Sequence, residues 1–414
     1  MREFFGDVAI YLIGRAVPAA VGFASVVIFV RFLGDAGYGS YAIVFSSANL
    51  VSVIVVGWLS QAVLRFQSQA TADEPFAPAL RFSLGWVSVA ALVGAACLPL
   101  VSHTAPGSPG VLLATGILAV GFSVHAVYAA SLQAALRARS VAVLEVSRAL
   151  ISLPLSLAGM MLVDPRFMGA LLGAGLSYAM SSSYAYFLSR RSVPQGAGNA
   201  QARRLALQFF RFGWPISVWF GISLFMPFAE RVLIERFLGT AATGQYAALY
   251  DLVFRSCGFA LLPIVLAVHP RIMREHGLGA VAGVRKLWAF ALLMQIALGT
   301  GVTVVLALFA PQIVKIVGLP PSNDLTRLVF PLAAAGCVWQ WALVAQKILE
   351  AEQRTRLMLF LLLAALVVNL TLDIILLPRF GPVAAAYSLL LAGLLYATAV
   401  SISGLGVRPV RRRG

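Results

Sequence analysis

Apolar runs of roughly twenty residues follow one another along this whole chain, separated by short polar stretches. A run of that length, wound as a helix rising about 1.5 Å per residue, crosses a hydrocarbon core about 30 Å thick. In lipid every backbone polar group has to be satisfied internally, so only helices and closed barrels can span. Barrel strands would read as alternating segments of about ten residues. These runs are continuous, so helices are expected. Charged residues make up only 11% of the chain, against about 25% in ordinary globular domains, which excludes a soluble multidomain reading.

The pattern predicts an all-α polytopic membrane protein with twelve transmembrane helices. They are placed near 8–30, 40–64, 82–102, 111–133, 141–163 and 168–188, then near 212–234, 246–268, 289–310, 328–347, 357–377 and 382–404. The two sets are joined by a repeat. The stretch Arg31-Phe32-Leu33-Gly34-Asp35-Ala36-Gly37-Tyr38-Gly39-Ser40-Tyr41-Ala42 returns 205 residues later as Arg236-Phe237-Leu238-Gly239-Thr240-Ala241-Ala242-Thr243-Gly244-Gln245-Tyr246-Ala247, with eight of twelve positions identical. A repeat of half the chain points to two pseudo-symmetric six-helix bundles, the pattern of duplicated membrane transporters. The expected segments are a bundle over 1–188, a cytoplasmic linker with an interfacial helix over 189–211, a second bundle over 212–404 and a basic tail over 405–414.

The net charge of +16 does not indicate a nucleic-acid partner, because the basic residues lie in short loops between apolar runs. Of the 31 Lys and Arg residues, 21 fall on one side of the predicted helices and 7, Arg231 among them, on the other. The excess marks the cytoplasmic side, which puts both termini inside and both copies of the repeat outside. Arg15, Arg148 and Arg255 lie within helices.

Polar groups inside lipid are costly and usually face a bundle interior or a wet cavity. Arg15 has no carboxylate within four residues and is a candidate anion-binding residue. Arg255 lies deep in its helix with Asp251 one turn before it, a spacing that stacks two side chains. Arg255 is read as substrate-facing, with Asp251 setting its geometry or serving in ion coupling. Glu145 and Arg148 repeat the pattern as a structural pair. Asn369 and Asp373 are also one turn apart, with Asp373 near a helix end and read as solvated. Asn49, on a broad small-and-polar helix face, is a candidate cavity-lining residue. Cys97, Cys257 and Cys337 lie in apolar runs and are read as buried, inert thiols. The four histidines lack metal-ligand spacing. No Walker A loop occurs. No metal or cofactor is expected, and energy has to come from an ion gradient, the membrane potential or the substrate gradient. The longest outer loop, Pro311–Arg327, is too short for a catalytic domain, so an enzyme is not expected.

The stretch Tyr11-Leu12-Ile13-Gly14-Arg15 with Pro18, the Arg31–Ala42 motif and the later Pro378-Arg379-Phe380-Gly381-Pro382-Val383-Ala384-Ala385-Ala386 resemble the polysaccharide flippases of the multidrug/oligosaccharidyl-lipid/polysaccharide exporter superfamily. The resemblance implies a MATE-like fold that carries an undecaprenyl-pyrophosphate-linked oligosaccharide, an O-antigen or exopolysaccharide repeat unit, across a bacterial inner membrane by alternating access. It implies a cationic cavity, with Arg15 and Arg255 placed as lumen arginines are in related flippases. The partners implied are the lipid-linked oligosaccharide, membrane lipids and the polysaccharide polymerase machinery. A cation- or proton-coupled multidrug or metabolite exporter of the same superfamily is the alternative.

Overall fold

The computed structural model describes residues 2–71, 73–97, 109–164, 166–190, 193–194, 196 and 198–406, with side chains from Gly14 onward. His103 and the basic tail beyond 406 lie outside these residues. Thirteen α-helices and one short 3-10 turn make up the regular structure, and no strand occurs among the described residues. The helices are α1 (Arg2–Phe66), α2 (Phe76–Ala96), α3 (Pro109–Ala134), α4 (Ala138–Leu162), α5 (Phe167–Ser189), α6 (Asn199–Leu238), α7 (Thr240–Gly277), α8 (Val281–Leu308), α9 (Ala310–Val317), α10 (Asn323–Ala345), α11 (Lys347–Ala351), α12 (Thr355–Phe380) and α13 (Pro382–Gly404). Among the described residues, ten stretches are long and apolar enough to cross a membrane.

The repeated motif is not a loop. In the first copy α1 runs through it with one break, at Gly34 (φ 67°, ψ 175°). In the second, Gly239 (φ 87°, ψ 174°) is the single residue between α6 and α7. The two glycines are 205 residues apart and share one backbone conformation, which is accessible essentially to glycine alone. Each copy is therefore a pair of long helices joined at one residue. Gly381 (φ 67°, ψ −161°) makes a similar joint between α12 and α13.

Other boundaries also differ from expectation. The interfacial helix of the linker is the start of α6, which runs unbroken for 40 residues. The expected outer loop Pro311–Arg327 contains α9, closed by Gly318 in the left-handed region, and its end holds Ser322, whose side chain caps α10 by accepting from Leu325 N at 3.1 Å.

The chain divides into two compact units: Met1–Ser25 with Ala36–Phe228, and Val26–Asp35 with Ala229–Gly414. In the first unit α5 packs on α3 and α4. A Cβ added at Gly169 or Gly173 would strike the α4 backbone at Gly159 or Leu155, so this glycine pair permits the close approach that small residues provide between membrane helices. In the second unit α10 is central, packed by α7, α8 and α13. There Gln245 Nε2 donates to Asp35 Oδ2 at 2.7 Å, joining the second turn motif to the first.

Candidate functional site

The residues expected to carry function fall into both units. Arg15 is exposed on the first arm of α1, one residue after Gly14, which sits against Ala142 of α4. Asn49 is half-buried on the second arm. Arg255 is exposed on α7. Neither Arg15 nor Arg255 forms an ion pair among the described residues. The expected Asp251–Arg255 pair is replaced by another. Asp251 Oδ1 lies 2.8 Å from Nη2 of Arg231, on α6. Arg231, counted from sequence among the outer-side cations, is buried and stands 5.5 Å over the Tyr250 ring. The α6–α7 hairpin brings Arg231 opposite Asp251, and this cross-hairpin partner captures the carboxylate. Cys97 also departs from expectation, being exposed at the end of α2, whereas Cys257 and Cys337 are buried.

In the first unit the expected Glu145–Arg148 pair forms, with Oε2 at 2.9 Å from Nη2. It is part of a larger set. Glu145 Oε1 is 2.9 Å from His125 Nε2, and Ser181 Oγ is 3.1 Å from His125 Nδ1. The Arg148 guanidinium sits 4.7 Å from the Tyr178 ring centre. With Glu145 accepting from Nε2–H, Nδ1 accepts from Ser181. Each group has a partner, so the set ties α3, α4 and α5 together as a structural lock.

The second unit holds a different cluster. Two glycine joints set it up. Glu230 and Tyr246 lie nine and seven residues from Gly239; Asp373 and Ser388 lie eight and seven from Gly381. At about 1.5 Å per residue all four sit roughly 10–14 Å below their turns. Asn369, one turn before Asp373, shares its face. Tyr246 Oη donates to Glu230 Oε2 at 2.8 Å, and Asn369 Nδ2 donates to Oε1 at 3.1 Å. Both Glu230 oxygens are thus satisfied. The Asp373 oxygens are served only by Ser388, whose hydroxyl stands within electrostatic hydrogen-bond reach of the carboxylate though outside full hydrogen-bond geometry; among the described residues Asn369 Oδ1 has no partner. Ser388 lies beside Asp373, and Asp373 is close enough to Glu230 for their charges to interact. Glu230, Asn369, Asp373 and Ser388 are all 0% exposed.

This corrects the reading of Asp373 as solvated, and Glu230 was missed. Among the described residues neither carboxylate forms an ion pair. The ligand atoms on offer are two carboxylates, an amide oxygen and a hydroxyl, and no group of three or more His, Cys, Asp or Glu residues suits a metal ion among the described residues. Oxygen-only sets suit hard cations rather than transition metals.

A family model described as polysaccharide biosynthesis protein matches residues 5–276. The chain belongs to this family. No curated protein matches. Among solved structures, the chain is similar to a multidrug resistance MATE family transporter of the MOP superfamily in its inward-facing conformation, with TM-score 0.69, 14% identity and coverage of 95% of this chain and 97% of that one. The outward-facing conformation of such a transporter gives TM-score 0.67 at 14% identity, covering 96% and 93%. A eukaryotic MATE transporter, AtDTX14, gives 0.68 at 15%, covering 96% and 94%. At these identities the likeness is one of fold. The family member described here is therefore an all-α, multi-span membrane protein of the polysaccharide biosynthesis family with a MATE-like fold.

Proposed function

We propose that this chain flips an undecaprenyl-pyrophosphate-linked oligosaccharide, an O-antigen or exopolysaccharide repeat unit, from the cytoplasmic to the periplasmic leaflet of a bacterial inner membrane. The observation that carries this reading is the polysaccharide biosynthesis family match on a MATE-like fold. The chain crosses twelve times as two pseudo-symmetric six-helix bundles with both termini cytoplasmic, a count that takes the arms of α1 as two spans and adds α5. The headgroup passes through a cationic cavity by alternating access. Arg15 and Arg255, neither ion-paired among the described residues, contact its phosphates. An arginine presents a planar fork of donors that fits phosphate oxygens. Asn49 contributes a contact to the sugar.

The driving ion is a small hard cation, sodium, taken up between Glu230 and Asp373. Asp251, the other candidate for ion coupling, is paired with Arg231. A second reading, a cation-coupled exporter of small molecules, is favoured by the fold likeness to multidrug transporters. Two assays separate them. Purified protein in proteoliposomes is expected to move a lipid-linked oligosaccharide between leaflets, with Arg15→Ala and Arg255→Ala each slowing it at least tenfold. Cation efflux from cells expressing the protein, without lipid-linked sugar transport, would overturn the flippase.

A further inference from the structure

The first unit carries a groove that no step above uses. Its walls are three helix stripes. On α6 the lining positions run from Arg203 to Val218 at helical spacing, on α2 from Phe82 to Ala90, and on α1 from Ile54 to Trp58. The α6 stripe covers sixteen residues, about 22 Å of helix, which matches the depth of one leaflet with its headgroup zone. The volume is about 580 Å³. Aromatic rings dominate it: Trp58, Phe82, Trp86, Phe210 and Trp214. Four of the five face outward, Trp86 being 65% exposed and Trp214 48%. Close packing at the back keeps the furrow narrow, since a Cβ added at Gly213 would strike the Trp58 backbone and one at Gly57 would fall 2.7 Å from Ser217 Oγ.

The one charged lining residue stands at one end. Arg203 lies in the first turns of α6, with its guanidinium 5.7 Å over the Phe82 ring and no carboxylate in ion-pair range among the described residues. Arg81, one residue before Phe82, and Arg204, one after Arg203, are exposed beside it. The acids there, Asp73 and Glu74, are exposed in the turn before α2 and form no ion pair among the described residues. This end belongs to the stretch whose mix of cations and bulky apolar residues suits the headgroup zone. A furrow that is apolar along its length and cationic at its headgroup end complements a single hydrocarbon chain ending in phosphate.

We infer that this groove holds the polyprenyl tail of the transported lipid, with its phosphate against Arg203. The inference rests on the flippase reading above, because such a cargo has to keep its tail in lipid while its headgroup changes leaflets. Rigid aromatic walls suit a methyl-branched chain, whose packing they reward without needing polar contacts. The furrow has room for one chain rather than the paired chains of a phospholipid.

The test is photolabelling of the purified full-length protein in nanodiscs with a diazirine-bearing polyprenyl phosphate. Label is expected within residues 82–90 and 207–218, displaced by unlabelled polyprenyl phosphate. Arg203→Gln and, independently, Trp86→Leu should each cut labelling at least fivefold, whereas Arg139→Gln, exposed on α4 and not a lining residue, should not. Label elsewhere, equal displacement by phosphatidylglycerol, or labelling unchanged in both groove variants would overturn the groove. Transport by the wild-type protein is read separately. Groove labelling without oligosaccharide transport would leave the groove standing and remove the flippase reading; transport with label elsewhere would do the reverse.

Discussion

Replacing Asp373 by Asn is the sharpest test of the carboxylate pocket. The substitution keeps the side chain's volume and removes one of two buried acids that have no cationic partner among the described residues. Holding an uncompensated charge at such depth costs several kcal/mol, and an unsatisfied buried polar group costs about 1–3 kcal/mol. In choline buffer the variant should therefore be more stable than the wild type by roughly 1–3 kcal/mol. Sodium reverses the order. A ligand at a hundred times its dissociation constant adds about 2.7 kcal/mol to the state that binds it. Each kcal/mol moves the melting point of a body of 150–250 residues by about 2–4 °C, so sodium should raise the wild-type Tm by roughly 5–11 °C. The variant should show no such rise, and its transport should fall to background. The assay is scanning fluorimetry in detergent, sodium against choline chloride at equal ionic strength and fixed pH. A wild-type Tm indifferent to sodium, together with a variant less stable in choline, would refute the argument. A Tm that follows pH but not sodium would replace the alkali ion with a proton.

Other perturbations separate structural from functional groups. Gly34→Ala or Gly239→Ala should each destabilise by about 1–3 kcal/mol from backbone strain, because an added Cβ meets nothing within 4 Å at either position; thermal melts check this. Arg231→Leu takes the ion pair from the part-buried Asp251 and should cost about 1–3 kcal/mol, whereas the exposed Arg255→Gln should stay within about 0.5 kcal/mol while slowing transport. Glu145→Gln removes the ion pair from Arg148 and should lower stability by about 1–3 kcal/mol. In sodium titrations its response should match the wild type's, since the first-unit lock takes no part in cation uptake.

Much of the fold was legible because the controlling signals are long or local. Twenty-residue apolar runs have one good solution in lipid, and the repeated Phe-Leu-Gly marks where each pair of long helices turns. The reading failed where helices ran further than their apolar cores. Ending the eleventh predicted helix at 377 left Asp373 near solvent; α12 continues to Phe380 and turns through Gly381 into α13, which buries Asp373 completely. Ending the seventh at 234 left Glu230 beside a supposed loop, although α6 continues to Leu238. The Asp251–Arg255 spacing was real, but spacing along one helix says nothing of a competitor across a hairpin.

The duplication argues further about which charges matter. At the offset of 205, Ser25, Val26, Ser46 and Leu50 stand in the first copy where Glu230, Arg231, Asp251 and Arg255 stand in the second. Both copies nonetheless make the same glycine-jointed helix pair, so that architecture forms with neutral residues at all four places. The charged set was therefore not required by the helical frame. Of its members, Arg231 and Asp251 pair with each other, and Glu230 is held by Tyr246 and Asn369. Arg255 makes no ion pair among the described residues, and Asp373, outside the aligned stretch, meets only the Ser388 hydroxyl. A structural lock leaves no atom unsatisfied, as His125, Glu145, Arg148 and Ser181 illustrate. A transport site has to remain unsatisfied until its ion or substrate arrives, and among the described buried acids Asp373 comes nearest to that condition.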